Sequence, residues 1–466
     1  MKHIDLNNLF SKKTSNFGKD EVFDIAVIGA GVVGTAIFKE FCENGAKTVL
    51  VEKANDLLEG ASKGNSAIIH TGFDAPPESL ELECVKRGYA EYMKIREELN
   101  LPILKTTALV VAWSDEQLEK LDAILQKGLN NGISELEQIS QKQVFKKEPN
   151  LSKKAKGAII VHGESVIDAW SAPLAYLRCG IVAGGKTAFS HEVKDGHFNG
   201  EFWELKTSQK TIKAKTVINA AGLYGDIVDS IKGSKDFKII PRKGQFIIFD
   251  ETAYNLINSI ILPVPTKITK GVVITKTAFG NLLVGPTAED QESRDNSITL
   301  EQTLKDLQHK ASEIIPKIKK HKIVATFAGL RPASDETYYR VSINDEKNWI
   351  TAGGIRSTGL TSSLGLAKHI FEINDKKYTK KESKVKLDNV PNISEFASRD
   401  YETSGYDKII CHCEKVTKRE IQNACRGETS TGTLGGLKRR TRATMGRCQG
   451  FNCLSAVAEI CESEKK

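Results

Sequence analysis

No stretch of this 466-residue sequence comes near the roughly 20 consecutive apolar residues that a bilayer-spanning helix needs, so no membrane-crossing helix is expected. The opening segment, MKHIDLNNLFSKKTSNFGKDE, has no apolar core of the secretory kind, and it holds Asp5 and no Arg, which argues against an organelle-targeting leader. A cytoplasmic protein is the expectation. Also missing is any block of Lys and Arg interleaved with aromatics. The cationic excess is mild, 67 Lys+Arg against 59 Asp+Glu for a net +8, which favours small acidic ligands or an anionic surface and gives no reason to expect nucleic acid. No internal repeat of solenoid period is present.

What is there suits a folded chain. Hydrophobic residues make up 40% and charged residues 27%, enough for a sizeable core and far from the composition of disorder. At a typical domain of about 150 residues, the length predicts about three structural units, or one large interleaved fold with a small appendage.

The strongest local signal lies in residues 23–53. Residues 24–28 (DIAVI) read as a short buried strand, the GAGVVG run at 29–34 opens a helix to about residue 43, and residues 47–52 (KTVLVE) return as a second strand. In such a unit Gly29 makes the tight turn, Gly31 lets a pyrophosphate approach the backbone and Gly34 allows close helix-to-strand packing, while the helix N-terminus offers free N–H groups. Glu52, 18 residues past Gly34, stands where a carboxylate accepts hydrogen bonds from a ribose 2′-OH. Strand, glycine run, helix, strand and acid in register predict adenine-dinucleotide binding.

Farther on, helices are expected over about 77–99, 115–130, 170–183 and 301–320, and a strand over 107–113. Residues 245–249 (QFIIF), 271–275 (GVVIT) and 281–284 (NLLV) are β segments punctuated by Pro and Gly, which predicts an antiparallel sheet inserted into the nucleotide-binding fold. Residues 348–352 (NWITA) lead through GGIRSTG at 353–359 into a last helix over 360–374, repeating the strand, glycine turn and helix of the start. The polar stretch 375–407 reads as a linker or an extended surface strap.

Three separated motifs, GAGVVG at 29–34, TVINAAG at 216–222 and GGIRSTG at 353–359, resemble those of the D-amino-acid oxidase (DAO) superfamily of FAD-dependent oxidoreductases over about residues 22–372. SKGNSAIIHTG at 62–72, PRKGQF at 241–246, GNLLVGPT at 280–287 and AGLRP at 328–332 are similar to the branch holding glycerol-3-phosphate and L-2-hydroxyglutarate dehydrogenases. The resemblance implies an α/β fold of the DAO/GR2 type. In it a Rossmann-like FAD-binding part (about 22–75, 150–235 and 325–372) interleaves with an antiparallel-sheet substrate part (about 76–149 and 236–324). It further implies that Gly29, Ala30, Gly31, Gly34, Glu52 and Lys53 hold the ADP half of FAD, with Val193 at the adenine. Ser62, Asn65, Ser66 and Ala67 would lie along the pyrophosphate and flavin, and Ala221, Gly222, Gly354, Ile355, Thr358, Gly359 and Leu360 would complete the pocket.

Oxidation of a carbinol needs an anion clamp, a base at the hydroxyl and alignment of the C–H with the hydride-accepting flavin. Arg331, in a GLRP turn, is the first choice for the clamp, because a guanidinium binds phosphate or carboxylate bidentately; a structural ion pair is the competing reading. Arg356 and Lys243 are further candidates, Lys243 being equally readable as a solvated turn residue. His70 is the candidate base, since imidazole is the side chain that ordinarily exchanges protons near neutral pH, and a structural hydrogen-bonding role is its alternative. One departure stands out. Relatives commonly carry Thr-Pro-Thr before GNLL, whereas this chain has TKTAFG at 275–280, so that Lys276 either adds a cation to the pocket or points to solvent.

Of nine cysteines, Cys411, Cys413, Cys448 and Cys453 fall within 43 residues. Cys42, Cys84 and Cys179 read as buried hydrophobes, and Cys425 and Cys461 lack a close partner in sequence. A Cys-x-Cys pair followed after 34 residues by Cys-x4-Cys is tight for a zinc knuckle, although zinc or a redox disulfide stays open. With a helix at 417–426 and the glycine-rich runs TLGGLK and RATMGRCQG, the segment from 407 to 466 resembles the bacterioferritin-associated ferredoxin (BFD) type of [2Fe–2S] domain, joined by a linker over 373–406.

A one-electron centre next to FAD suits a dehydrogenase better than an oxidase. The combination resembles the large subunit of anaerobic-type glycerol-3-phosphate dehydrogenases, which implies a small anionic substrate, an electron-accepting subunit or quinone, and peripheral membrane association through a partner. A 2-hydroxy acid, an amino acid, or a purely electron-transferring role are the other readings.

Overall fold

The computed structural model describes residues 10, 14–265, 271–379 and 398–465. Strand β1 (Val22–Ile28) runs into helix α1 (Val32–Glu43) and returns as β2 (Thr48–Val51), with Ile25 beside Thr48 in a parallel pair. Past Asp24 and Thr48 near their starts, both strands are apolar on both faces, as parallel strands covered by helices on each side must be. The first sheet runs in the order Val193–Phe198, Trp203–Thr207, β3 (Thr211–Asn219), β1, β2 and Lys186–Ala188. Trp349–Gly353 pairs in parallel with the second half of β3 and carries Arg340–Asn344 at its far edge.

The second sheet has nine strands and is mostly antiparallel. Its spine is β4 (Ile239–Phe249) against β5 (Ile323–Ser334), paired from Ile239–Ser334 to Phe249–Ile323. The expected inserted sheet is therefore present, but its limits differ from those expected. Gly157–Val161 pairs with Ala108–Ala112 in this sheet, and all of β5 belongs to it, so the boundaries at 150 and 325 move. The reason is that GAIIV is a short apolar run whose pattern is the same in either sheet.

A small three-stranded sheet joins Ile68–Ile69, Ser165–Ile167 and Ile103–Lys105. Its antiparallel register sets Ile69 against Ser165, which brings the next residues outward, His70 and Glu164, face to face.

The C-terminal unit is a two-stranded ribbon, Ile409–Cys411 with Val416–Thr417, followed by α2 (Lys418–Cys425), α3 (Leu434–Thr441) and α4 (Leu454–Ser463). Thr417 caps α2 by accepting from Glu420 N while Glu420 accepts from Thr417 N, and Val416, Ile421, Leu437 and Val457 form a core of their own. The unit docks on the loop after β2. Arg440 makes a two-pronged ion pair with Asp56, both bonds 2.8 Å, Arg439 pairs with Glu59, and Arg447 reaches Asp250 and Glu251. Of the expected linker, residues 380–397 lie outside the described residues; Asp400–Glu402 is a short 3-10 turn. Among the described residues no helix is long and apolar enough to cross a membrane.

Candidate active site

A cavity of about 410 Å³ opens where β1 meets α1 and runs past the loop at 60–66 to the β4–β5 face. Gly29, Gly31, Glu52, Lys53, Ser62, Asn65, Ser66, Val193, Ala221, Gly222, Gly354, Ile355, Gly359 and Leu360 all line it. Its floor is a backbone cradle. A Cβ on Gly34 would come within 1.8 Å of Gly29 O, so replacement by alanine forces the turn open. We expect Gly34→Ala to abolish cofactor retention, read as loss of flavin absorbance from the purified protein.

Val32 N, at the helix start, donates to Ser62 Oγ at 3.1 Å, while the N-cap residue Gly31 has no side chain to cap the N–H groups that follow, which leaves them open to whatever the cavity holds. Glu52 lines the cavity with both carboxylate oxygens already engaged by the backbone. Its two oxygens accept from Ala30 N (2.7 Å) and Ala54 N (2.9 Å); burial pushes its carboxyl up, and these two N–H groups oppose that.

Four expected cofactor contacts do not line this cavity. Ala30 is fully buried, Gly34 lies in the first turn of α1, and Ala67 faces a second cavity described below. Thr358 is engaged elsewhere, donating to Glu81 at 2.7 Å beside Tyr339. Conversely, sequence reasoning missed a cluster that lines the cavity around Lys53. Lys53 Nζ lies 3.4 Å from the Tyr224 ring centroid, Tyr224 donates to Asp295 at 2.7 Å, and Arg294 grips Asp226 with two bonds of 2.6 and 2.8 Å. Tyr224 follows the AAG turn by two residues and was findable. Arg294 belongs to no motif.

At the other end stands Arg331. On β4 the register partner of Arg331 is Arg242, and two residues farther along, at Gly244, a Cβ would meet Arg331 Nη2 at 2.7 Å, so the glycine makes room for the guanidinium. Arg331 donates to Thr287 O and, among the described residues, has no carboxylate within ion-pair distance. Burial, reinforced by the like charge of Arg242, depresses it to about 10, a strain on the bare cation that an anionic ligand relieves. Arg356 lines the same cavity.

Lys243 does not. Side chains alternate along β4, and since Gly244 and Phe246 face the cavity, Lys243 points to the opposite side, where Nζ is 3.4 Å from Ile298 O. Its candidacy falls on that alternation. Lys276 also turns away, lying 4.3 Å from the Tyr254 ring centroid.

His70 is not a lining residue, but it sits close behind. Its N–H donates to Thr361 Oγ1, one residue past the cavity-lining Leu360, and its Nδ1 is 2.8 Å from Glu164 Oε2. Glu164 is wholly buried and also accepts from Thr71 N and Oγ1, while the imidazole keeps 30% of its surface. A carboxylate locked in this way puts the ring hydrogen on Nδ1 and leaves Nε2 as the open acceptor.

The four clustered cysteines come together as two interacting pairs, Cys413 with Cys448 and Cys411 with Cys453. Backbone N–H groups of Asn452, Gly450 and Phe451 aim at Cys448 and hold its thiol below the usual range, whereas burial beside Cys411 pushes Cys453 to about 12. Among the described residues no three Cys, His, Asp or Glu stand ready to clasp a single metal ion. Two pairs of sulfurs fed by backbone N–H groups fit a two-iron unit held by four thiolates. Cys425 and Cys461, unpartnered by sequence spacing, face each other with sulfurs 2.9 Å apart between α2 and α4.

The comparisons with known proteins agree with this geometry. Residues 24–373 match the model of the FAD dependent oxidoreductase family DAO, and residues 409–463 match the BFD-like [2Fe-2S] binding domain. A glycerol 3-phosphate dehydrogenase of Caloramator mitchellensis is 32% identical over 453 residues, covering 95% of this chain and 94% of its own. A glycerol 3-phosphate oxidase of Mycoplasma pneumoniae is 28% identical and covers 78% of this chain and 97% of its own. The solved structure of the L-alpha-glycerophosphate oxidase of that organism, reduced and with FAD bound, superimposes with a TM-score of 0.75 at 26% identity, over 80% of this chain and all of that one. The cradle, the acid at the end of β2 and the paired sulfurs thus have a common explanation: this chain belongs to the DAO family of FAD-dependent oxidoreductases and carries a BFD-like [2Fe–2S] domain at its C-terminal side.

Proposed function

We propose that the chain oxidises sn-glycerol 3-phosphate to dihydroxyacetone phosphate and passes the electrons through its [2Fe–2S] cluster to a carrier outside the chain, a protein subunit or a quinone. The observation that carries this reading is Arg331, a cation without a carboxylate partner among the described residues, at the end of the flavin cavity remote from the ADP site. A phosphate monoester supplies the planar pair of oxygens that a guanidinium holds bidentately, and Arg356 adds a second cation at the same cavity.

The bound flavin supplies the hydride acceptor. The rest falls to the chain's own side chains. Arg331 fixes the phosphate end and so restricts how the carbinol carbon presents its hydrogen. His70 Nε2 takes the hydroxyl proton as the carbonyl forms, and Glu164, bound at Nδ1, steadies the resulting imidazolium. We place the enzyme in the cytoplasm, against the inner face of the cell membrane where its carrier is a membrane component.

Dehydrogenase rather than oxidase is favoured by coverage. The similarity to the dehydrogenase of Caloramator mitchellensis spans 95% of this chain, whereas that to the Mycoplasma pneumoniae oxidase spans 78%. A 2-hydroxy acid is the second reading, since Arg331 would grip a carboxylate equally well and an L-2-hydroxyglutarate dehydrogenase of Indibacter alkaliphilus is 30% identical over 57% of this chain.

Anaerobic addition of sn-glycerol 3-phosphate is expected to bleach the flavin band and then lower the iron–sulfur absorbance. An unchanged flavin overturns the substrate. Bleaching by 2-hydroxy acids instead establishes the second reading; release of ammonia from an amino acid would identify amine oxidation, and reduction only by a protein partner would leave an electron-transfer subunit. Cys448→Ser is expected to remove the cluster's visible and EPR signals while FAD content and substrate bleaching persist, because the two sites occupy separate units.

A further inference from the structure

The two halves of the molecule meet around a second cavity of about 610 Å³. One wall is the loop at 63–67, whose first residues also line the flavin cavity, and the opposite wall includes Cys413, a cluster ligand. A continuous line of contacts crosses this gap. Trp170 Nε1 donates to Lys63 O at 3.2 Å, and the Trp170 ring stacks on Phe279 with centroids 5.7 Å apart and planes 23° from parallel. Arg442, from the C-terminal unit, sets its guanidinium carbon 3.8 Å from the Phe279 centroid and donates from Nε to Glu414 at 2.7 Å, beside Cys413 in the chain. Among the described residues the Arg442–Phe279 contact is the only ring–cation contact between the two halves, and no ring–ring contact joins them.

The surroundings hold these groups in place. Arg442 occupies the left-handed region at φ +60, an uncommon conformation for a residue with a side chain, and is largely buried. Asp168 is fully buried, accepts from Trp170 N at 3.0 Å and from Ser171 Oγ, and its carboxyl, raised by burial, lies in the field of Arg442. One carboxylate thus orients the first member of the line and attracts the last.

We propose that Trp170, Phe279 and Arg442 form the electron bridge from the flavin to the cluster. Electron tunnelling decays less steeply through bonded and contacting atoms than across empty space, and this path, unlike the ion pair of Arg439 with Glu59, crosses the cavity through aromatic rings and ends on a residue bonded beside Cys413. In the step itself FADH⁻ gives one electron to the oxidised cluster, whose two ferric ions become one ferric and one ferrous. A one-electron acceptor such as ferricenium removes that electron, the second follows by the same route, and the flavin ends as FAD with one proton released.

The proposal needs both cofactors but not the substrate assigned above, so it is tested without that substrate. In protein whose FAD and iron content are confirmed, the flavin is reduced by light with EDTA as donor, and the cluster is followed by absorbance and by EPR of frozen samples. Phe279→Leu, which keeps apolar bulk and removes the ring, is expected to slow cluster reduction about tenfold, equivalent to ~1.4 kcal/mol of activation free energy, with flavin photoreduction unchanged. Phe279→Trp is expected to restore the rate. Transfer at the parental rate in Phe279→Leu overturns the bridge. So does slowing that appears only in samples whose two halves have come apart, as judged by small-angle scattering, since the stack is then a docking contact. Should Phe279→Leu fail to load a cluster, Trp170→Leu carries the same test with the same two outcomes.

Discussion

Replacing Arg331 with leucine is expected to lower kcat/KM for sn-glycerol 3-phosphate by about 10²–10³-fold, equivalent to ~3–4 kcal/mol of lost transition-state stabilisation, with most of the effect in KM. The size follows from the setting. The guanidinium is half-buried, has no carboxylate partner among the described residues and is depressed by its own burial, so an incoming phosphate gains a charge-assisted, partly desolvated pair for which water offers no equal substitute. Leucine also removes the bond to Thr287 O, but the loop stays tied to β4 by Thr287 N donating to Gln245 O at 3.2 Å. FAD content and the flavin spectrum should therefore be unchanged. Steady-state kinetics against both sn-glycerol 3-phosphate and plain glycerol check the origin of the effect: plain glycerol, lacking the phosphate, should be oxidised no worse by the variant. An equal loss with both would assign Arg331 a structural role.

The second large effect is expected from Asp56→Ala. Asp56 and Arg440 are 2% and 6% exposed, and the carboxylate also accepts from Gly432 N at 2.8 Å, so its removal strands a buried guanidinium and an unpaired N–H group. Breaking a buried pair from one side costs about 3–5 kcal/mol, whereas replacing both partners by apolar groups is often neutral. We expect the variant to release the C-terminal unit. It should become cleavable by protease in the segment before residue 407, and cluster reduction by the flavin should be lost while substrate still bleaches the flavin. Adding Arg440→Met should recover much of the docking, as a double-mutant comparison of protease sensitivity would show. Intact docking in Asp56→Ala would mean that Arg439 with Glu59 and Arg447 with Asp250 suffice.

The parts legible in the sequence were those in which backbone chemistry dictates residue type over a short span. The GAGVVG turn, the acid at the end of β2 and the GGIRSTG turn each encode a close approach or a helix start, and they were found in register. The cysteine tetrad announced itself by spacing. Contacts between distant segments were illegible for the opposite reason. The Tyr224, Arg294 and Asp295 group is assembled from two loops some 70 residues apart, and Glu164 reaches His70 through a strand pairing that nothing in either segment specifies. Lys243 was misjudged because a one-residue step along a strand changes the face, and nothing local fixes which residues of β4 turn toward the cavity. The sheet to which GAIIV belongs was undecidable for a similar reason: a strand buried on both faces has no alternation to read.

The loop that follows β2 has a consequence in terms of linkage. Its first acid, Glu52, lines the flavin cavity, and four residues later Asp56 grips the C-terminal unit. Two binding events that share one short segment are coupled through its conformation, and such coupling is reciprocal: whatever factor docking contributes to the affinity for FAD, FAD contributes the same factor to docking. Whether the C-terminal unit is docked and whether FAD is bound are then tied to the two ends of one five-residue segment, so any change in FAD affinity on releasing the unit has to be matched by an equal change in docking on removing FAD.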